Sequence, residues 1–191
     1  MLSLVKSDEQ LIDQALSGSQ ASWVKLVKRY EGLVYNYCLR MSGDSTEAMD
    51  LMQEIFLSVY RNLPSYRQQN QFKAWMMRIA ANKAIDYFRH RERNPQNYGE
   101  NYEENEAVSQ QNSIYDDPAR QYQQADVQHQ VKQLMNSLTG ENRLLVELKF
   151  FQHLTFEEIS RQMNVPVNTL KSRLYTSLHK MKDETEKQHV L

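Results

Sequence analysis

The chain has 191 residues, a quarter of them charged, and a formal net charge of −1 at pH 7. That length suits one or two domains, and the near-neutral balance excludes a uniformly basic nucleic-acid coat. A single cysteine, Cys38, excludes an internal disulfide and fits a reducing cytosol.

The opening MLSLVKSDEQ lacks the long apolar core of a signal peptide. No run reaches the roughly 18 apolar residues of a membrane span, so a soluble, cytoplasmic protein is expected. Only five Gly and four Pro occur, and no segment alternates as a strand would. The expected fold class is all-α. Helices are predicted at about 7–17, 20–41, 45–62 and 70–92. Cys38 lies in an apolar helical run and is expected to be a small core residue.

Asp44 and Glu47 read as a capping box that starts the third helix. Within it Ala48, Leu51, Met52, Ile55 and Val59 form the core side. Asp50, Gln53, Glu54 and Leu57 point outward, a mix that could dock another protein's helix. Pro64 and Ser65 break the chain before the fourth helix. There Phe72, Met76, Ile79, Ala80 and Tyr87 are expected to share a buried side. Arg78, Asn82, Ile85 and Arg89 form a separate stripe at spacings of four, three and four, with Trp75 beside it. Arginine, asparagine and an aromatic together can hold phosphates, read a base edge and stack on an unpaired base. Core packing for Trp75 and a plain solvated face for the arginines remain open alternatives.

The stretch from about 94 to 124 is rich in Asn, Gln and Glu, and reads as a flexible linker. Helices resume at about 125–137 and 140–151. A helix-turn-helix follows over Thr155 to Lys182. Thr155 with Glu158 is a capping box, and Phe156, Ile159 and Met163 give the first helix its apolar side. Asn164 suits the left-handed turn, and Pro166 opens the second helix. On that helix Val167, Leu170, Leu174, Leu178 and Met181 fall on one side. Asn168, Thr169, Ser172, Tyr175, Thr176 and His179 fall on the other, flanked by Lys171 and Arg173. Hydrogen-bonding residues between two cations suit base edges between two phosphate rails.

Charge is patterned along the chain. Arg67 to Arg93 carries seven cations against Asp86 and Glu92, net +5, and Pro166 to Lys182 carries four cations and no acid. Between them, Asn94 to Asp126 carries seven acids against one arginine, net −6. Two basic helical modules joined by an acidic strap is the resulting organisation. A DNA-binding regulator that works without a polymerase would explain 155–182 and leave the docking helix and the Trp75 block unexplained. An enzyme is disfavoured: the five histidines sit at no metal-ligand spacing, no Gly-rich phosphate loop occurs, and the cysteine has no partner motif. No cofactor or metal is expected.

The blocks AMDLMQEIFLSVYRNLPSYR, FKAWMMRIAANKAIDYFRHRER and LTFEEISRQMNVPVNTLKSRLY, in this order, resemble a bacterial extracytoplasmic-function (ECF) sigma factor, a promoter-specificity subunit of RNA polymerase. The resemblance covers about 10–93 and 126–183. It implies two small helical domains, region 2 over 1–93 and region 4 over 126–191, joined by the acidic linker 94–125. It implies docking on core RNA polymerase through Asp50, Gln53, Glu54 and Phe56. It implies opening and reading of the −10 element of promoter DNA through Trp75, Arg78, Asn82 and Arg89, with the loop 64–71 receiving a flipped base. The −35 element would be read by Asn168, Thr169, Lys171, Ser172, Arg173, Tyr175 and Thr176. The family commonly has Gly where Asn168 stands and often Arg where Thr176 stands, so the first adds a side chain near DNA and the second removes a cation. Family members are usually held inactive by an anti-sigma factor, so such a partner is expected.

Overall fold

The computed structural model describes residues 6–67, 71–93 and 130–188, and every regular element among them is helical. The acidic linker expected at 94–125, the start of the helix expected at 125–137, and positions 68–70 of the flipped-base loop lie outside the described residues.

Helix α1 (Asp8–Leu16) starts on a reciprocal capping box between Ser7 and Gln10. It is tied to α2 (Gln20–Ser42) by Asp8, which accepts hydrogen bonds from Arg29 and Tyr30. α2 ends at Gly43, whose φ of 80° is left-handed and favours glycine. A Cβ there would also lie 2.6 Å from Oδ1 of Asn136. α3 (Ser45–Asn62) is capped by the Asp44 carboxylate, which accepts the N–H groups of Thr46 and Glu47 at 2.8 and 2.9 Å. The expected capping box is one-sided, because the Glu47 side chain has a better partner across the helix pair. It accepts the Tyr87 hydroxyl and pairs with Arg91 at 3.5 Å. Burial, aided by that bond to Glu47, pushes the Tyr87 phenol well above its ordinary range.

A 3-10 turn, Leu63–Ser65, leads towards α4 (Phe72–Arg93). The buried side of α4 is broader than its sequence suggests. Phe72, Met76 and Ala80 are buried as expected, while Ile79 and Tyr87 are only half-buried. Met77, Ala81, Ala84 and Phe88 form a second buried stripe. That stripe is buried because the second half of the chain packs on α4. The Phe88 ring lies against Gly140, where a Cβ would come within 2.6 Å of its Cγ.

The second module comprises α5 (130–136), α6 (Gly140–Val146), α7 (Phe156–Met163) and α8 (Val167–Gln188). The single helix expected over 140–151 changes pitch at its end. Glu147–Phe151 forms a wider π turn, closed by the Gln152 N–H donating to the Glu147 carbonyl at 3.1 Å. His153 then leaves it at φ 56°. Leu11, Ile55 and Met76 from the first module share one continuous buried cluster with Leu144, Leu148, Ile159 and Leu170 from the second. Each such side chain, fully buried, contributes roughly 1.5–3 kcal/mol. Cys38 is part of this cluster, and burial pushes its thiol far above the ordinary range, as an inert core residue requires.

Candidate functional site

The helix-turn-helix is built as its punctuation predicts. Thr155 Oγ1 accepts the Glu158 N–H at 3.2 Å, and Glu158 accepts the Thr155 N–H at 2.8 Å. Those bonds from Thr155 hold the Glu158 carboxyl below the usual carboxylate range. Asn164 takes the left-handed conformation at φ 55°, ψ 43°, and α8 begins just after Pro166. The two helices pack through Ile159, Leu170 and Leu174.

The outer face of α8 carries Asn168, Thr169, Lys171, Ser172, Tyr175 and Thr176, all exposed. Tyr175 is 73% exposed. Arg173 differs: it is half-buried and held at 2.5 Å by Glu141 from the start of α6. Its guanidinium is therefore shared with Glu141 rather than presented alone on the outer face. Lys171 sits 5.8 Å above the Phe156 ring, which steadies it without removing its charge. One inward position differs from the sequence pattern. Leu178 is 37% exposed, and Ser177 is buried in its place. Ser177 is tolerated there because its hydroxyl donates to the Arg173 carbonyl at 2.7 Å.

On α4, Arg78, Asn82 and Arg89 are exposed along one stripe, and Ile85 between them is half-buried. Trp75 combines the two readings left open for it. It is half-buried against Tyr66 and Phe72, with ring centroids 5.2 and 5.8 Å away. Its remaining surface walls a cleft of about 280 Å³ between α3 and α4. Asn82 shares that cleft with Asn62, Ser65, Lys83 and Asp86. The volume is close to the lower end of small-ligand pockets, roughly 300 Å³. An aromatic wall facing amide, hydroxyl, ammonium and carboxylate groups suits a flat, hydrogen-bonding ring such as an unstacked base. Asn62 and Lys83 escaped sequence reasoning because they lie on different helices and share no spacing rule.

On α3, Asp50, Gln53 and Glu54 are exposed, and Glu54 pairs loosely with Lys83 at 3.5 Å. Phe56 is half-buried, edge-on to Trp23 at 6.5 Å between ring centroids. It supports the face from beneath. Met49, Leu57 and Tyr60 are each half or more exposed. The face is thus more apolar than the one exposed leucine read from the sequence. Exposed apolar residues next to exposed acids form the pattern of a protein-docking surface. Tyr60 was missed because helical spacing alone does not show that Trp23, 5.0 Å away, holds its ring at the surface.

Comparison with known proteins gives this arrangement its family. The Sigma-70 region 2 family matches residues 26–94, and the Sigma-70 region 4 family matches residues 128–181. The ECF RNA polymerase sigma factor SigW of Bacillus subtilis is 30% identical over 168 residues, covering 86% of this chain and 89% of the relative. The RNA polymerase sigma-H factor of Pseudomonas aeruginosa is 28% identical over 172 residues, covering 89% of each. Among solved structures, the sigma factor RpoE from Bartonella quintana, in complex with the anti-sigma factor NepR, aligns with a TM-score of 0.59 at 19% identity, over 85% of this chain and 95% of that one. CnrH in complex with the cytosolic domain of CnrY aligns at 0.55 and 20% identity, over 95% and 99%. At those identities the two structures establish the fold alone. With both regions matched in order across most of its length, the chain belongs to the extracytoplasmic-function sigma factors, which direct promoter-specific transcription initiation by core RNA polymerase.

Proposed function

We propose that the three surfaces divide the work of initiation. The α3 face, Asp50, Gln53, Glu54 and the apolar residues around them, docks on core polymerase, with Phe56 as its support. The α4 stripe, Trp75, Arg78, Asn82 and Arg89, reads and opens the −10 element, and the cleft beside it takes an extruded base. The α8 face, from Asn168 to Thr176, reads the −35 element. The observation that carries this reading is the cleft: Trp75 and Asn82 line one cavity at the foot of a stripe of exposed arginines. Opening a base pair costs a few kcal/mol, and capture of the unstacked base offsets part of it.

The working division of the chain is region 2 over 1–93, a connecting segment over 94–125, and region 4 over 126–191. The protein acts as a non-enzymatic cytoplasmic subunit, as the likeness to sigma factors such as SigW of Bacillus subtilis suggests; among the described residues no helix is long and apolar enough to cross a membrane. An anti-sigma factor is its expected regulator, since RpoE from Bartonella quintana was solved with one. The test is transcription in vitro with purified core polymerase and this protein, followed by sequencing of the transcripts. Start sites downstream of one shared two-part motif are expected. Starts scattered without a common motif would refute the reading.

A further inference from the structure

We propose that Tyr66 is the positioning residue of the base-capture cleft: one side chain that fixes the two walls of the cleft against each other and sets the Trp75 ring. The inference rests on the base-capture role proposed above for that cleft.

The cleft is assembled from two pieces of chain. Asn62 and Ser65 form one wall, from the end of α3 and the 3-10 turn after it. Trp75, Ile79 and Asn82 form the other, from the first turns of α4. A base held between such walls depends on their separation, because a gap of about 0.5–1 Å already forfeits a quarter to a half of a dispersion contact. Something must therefore fix the start of α4 against the turn that leaves α3.

Tyr66 touches both pieces. Its backbone follows directly from Ser65, and its hydroxyl oxygen accepts the Gln71 N–H at 3.1 Å. Gln71 stands at the start of α4, where its carbonyl accepts the Trp75 N–H at 3.0 Å. A helix start leaves its first N–H groups without helical partners. The phenol satisfies one of them, on the same residue whose carbonyl holds Trp75 in the first turn. The Tyr66 ring adds a second hold. Its centroid lies 5.2 Å from that of Trp75 and 5.7 Å from that of Phe72, edge-on to the latter at 87°. Phe72 is buried and is backed in turn by Tyr30 of α2 at 5.5 Å. Burial pushes the Tyr66 phenol up, so the oxygen meets Gln71 as a neutral hydroxyl.

Tyr66 is not among the residues that line the cleft. Its effect on a captured base passes through Trp75 and through the spacing of the walls. The ring alone would serve packing, and phenylalanine would supply it. The hydroxyl, bonded to the start of α4, is the part that packing does not require. Its removal should therefore spoil the capture of a base and leave the helices in place.

The test uses the full chain with core polymerase on a promoter identified by the transcription assay above. Each non-template nucleotide of the −10 element is replaced in turn by an abasic one, and the position where this slows wild-type opening most is the captured base. Opening rate and closed-complex affinity are then measured for wild type, Tyr66→Phe and Gln71→Pro, on the intact and on the abasic template. On the intact template Tyr66→Phe should open about fivefold more slowly, the worth of one ordinary hydrogen bond. Closed-complex affinity should not change. On the abasic template, with no base to hold, Tyr66→Phe and wild type should open at the same rate. Gln71→Pro deletes the donor N–H, leaves Tyr66 intact and suits a helix start, so it should show the same base-dependent loss. Equal slowing of Tyr66→Phe on both templates would mark a general structural role and overturn the assignment, as would no slowing on either. Should Tyr66→Phe melt far below wild type, Gln71→Pro decides: a loss confined to the intact template supports the assignment, and any other pattern overturns it. If no abasic position slows wild type, the base-capture reading of the cleft itself fails, and the role of Tyr66 falls with it.

Discussion

Reversal of the acidic charges on α3 is the most direct test of polymerase docking. The perturbation is the double substitution Asp50→Arg and Glu54→Arg. Both side chains are exposed, and neither is needed to satisfy a buried group. The substitution breaks the Glu54–Lys83 ion pair, which spans 3.5 Å with side-chain exposures of 65% and 31%. An exposed pair of that length contributes about 0–1 kcal/mol. The two residues are spaced i, i+4 on one helix, so a like-charged acidic pair becomes a like-charged basic pair, and helix stability changes little. Stability should thus fall by no more than about 1 kcal/mol. Binding should suffer far more. Disrupting a close interfacial charge pair costs about 2–5 kcal/mol, and each 1.4 kcal/mol is tenfold. A loss of roughly thirtyfold or more is expected. The assay is titration of labelled core polymerase with each protein, beside a thermal melt of the same samples. If the double variant melts like wild type and binds core polymerase equally well, the docking assignment to this face is wrong.

Other surfaces give further expectations. On duplex promoter DNA, Arg78→Ala and Asn82→Ala should lower open-complex yield more than closed binding, and a pre-melted bubble template should restore much of it; equal loss on both templates would favour simple phosphate anchoring. Lys171→Ala should cost about 1–3 kcal/mol if it reaches a base, whereas a phosphate contact would weaken all sequences alike and flatten the salt dependence of binding. Glu141→Gln frees Arg173 from its ion pair, so promoter binding by the full chain should steepen in salt dependence; an unchanged slope would show that the pair persists on DNA or that Arg173 contacts none. Thr155→Ala should destabilise the helix-turn-helix by about 1 kcal/mol, readable in a thermal melt. In wild type the cap should weaken on acidification. Glu158 has a lowered carboxyl pKa when folded, so its contribution is present above the unfolded value and is lost as pH falls through the folded one.

Local punctuation made most of the secondary structure legible. Ser, Asp and Thr caps, a left-handed Asn164, and the scarcity of glycine and proline all act within a few residues of the helix ends they set. The errors arose where a distant partner took over a local group. Glu47 satisfies the first rule of a capping box in sequence, yet its carboxylate is claimed by Tyr87, 40 residues away. Ser177 replaces Leu178 on the inner face of α8, because a hydroxyl that can bond back to its own helix enters the core at small cost. Periodicity ranks residues by hydrophobicity and cannot see such a bond.

The candidate site was legible as three stripes on three helices, since each stripe is written at i, i+3 and i+4 spacing on one element. Relations between helices were not. The Trp75 cleft needs Asn62 from α3 and Asn82 from α4, and the Arg173–Glu141 pair joins residues 32 apart. The Arg40–Glu147 contact spans 107 positions, and nothing local marks either residue. In sequence Arg40 is an ordinary cation in the last turn of a helix, and Glu147 an ordinary acid in an apolar run. Physical chemistry supplies the missing signal only after folding: a carboxylate at 1% exposure is intolerable without a partner, so Glu147 must have one. Its partner comes from the other module, so no pattern within one helix could have named it.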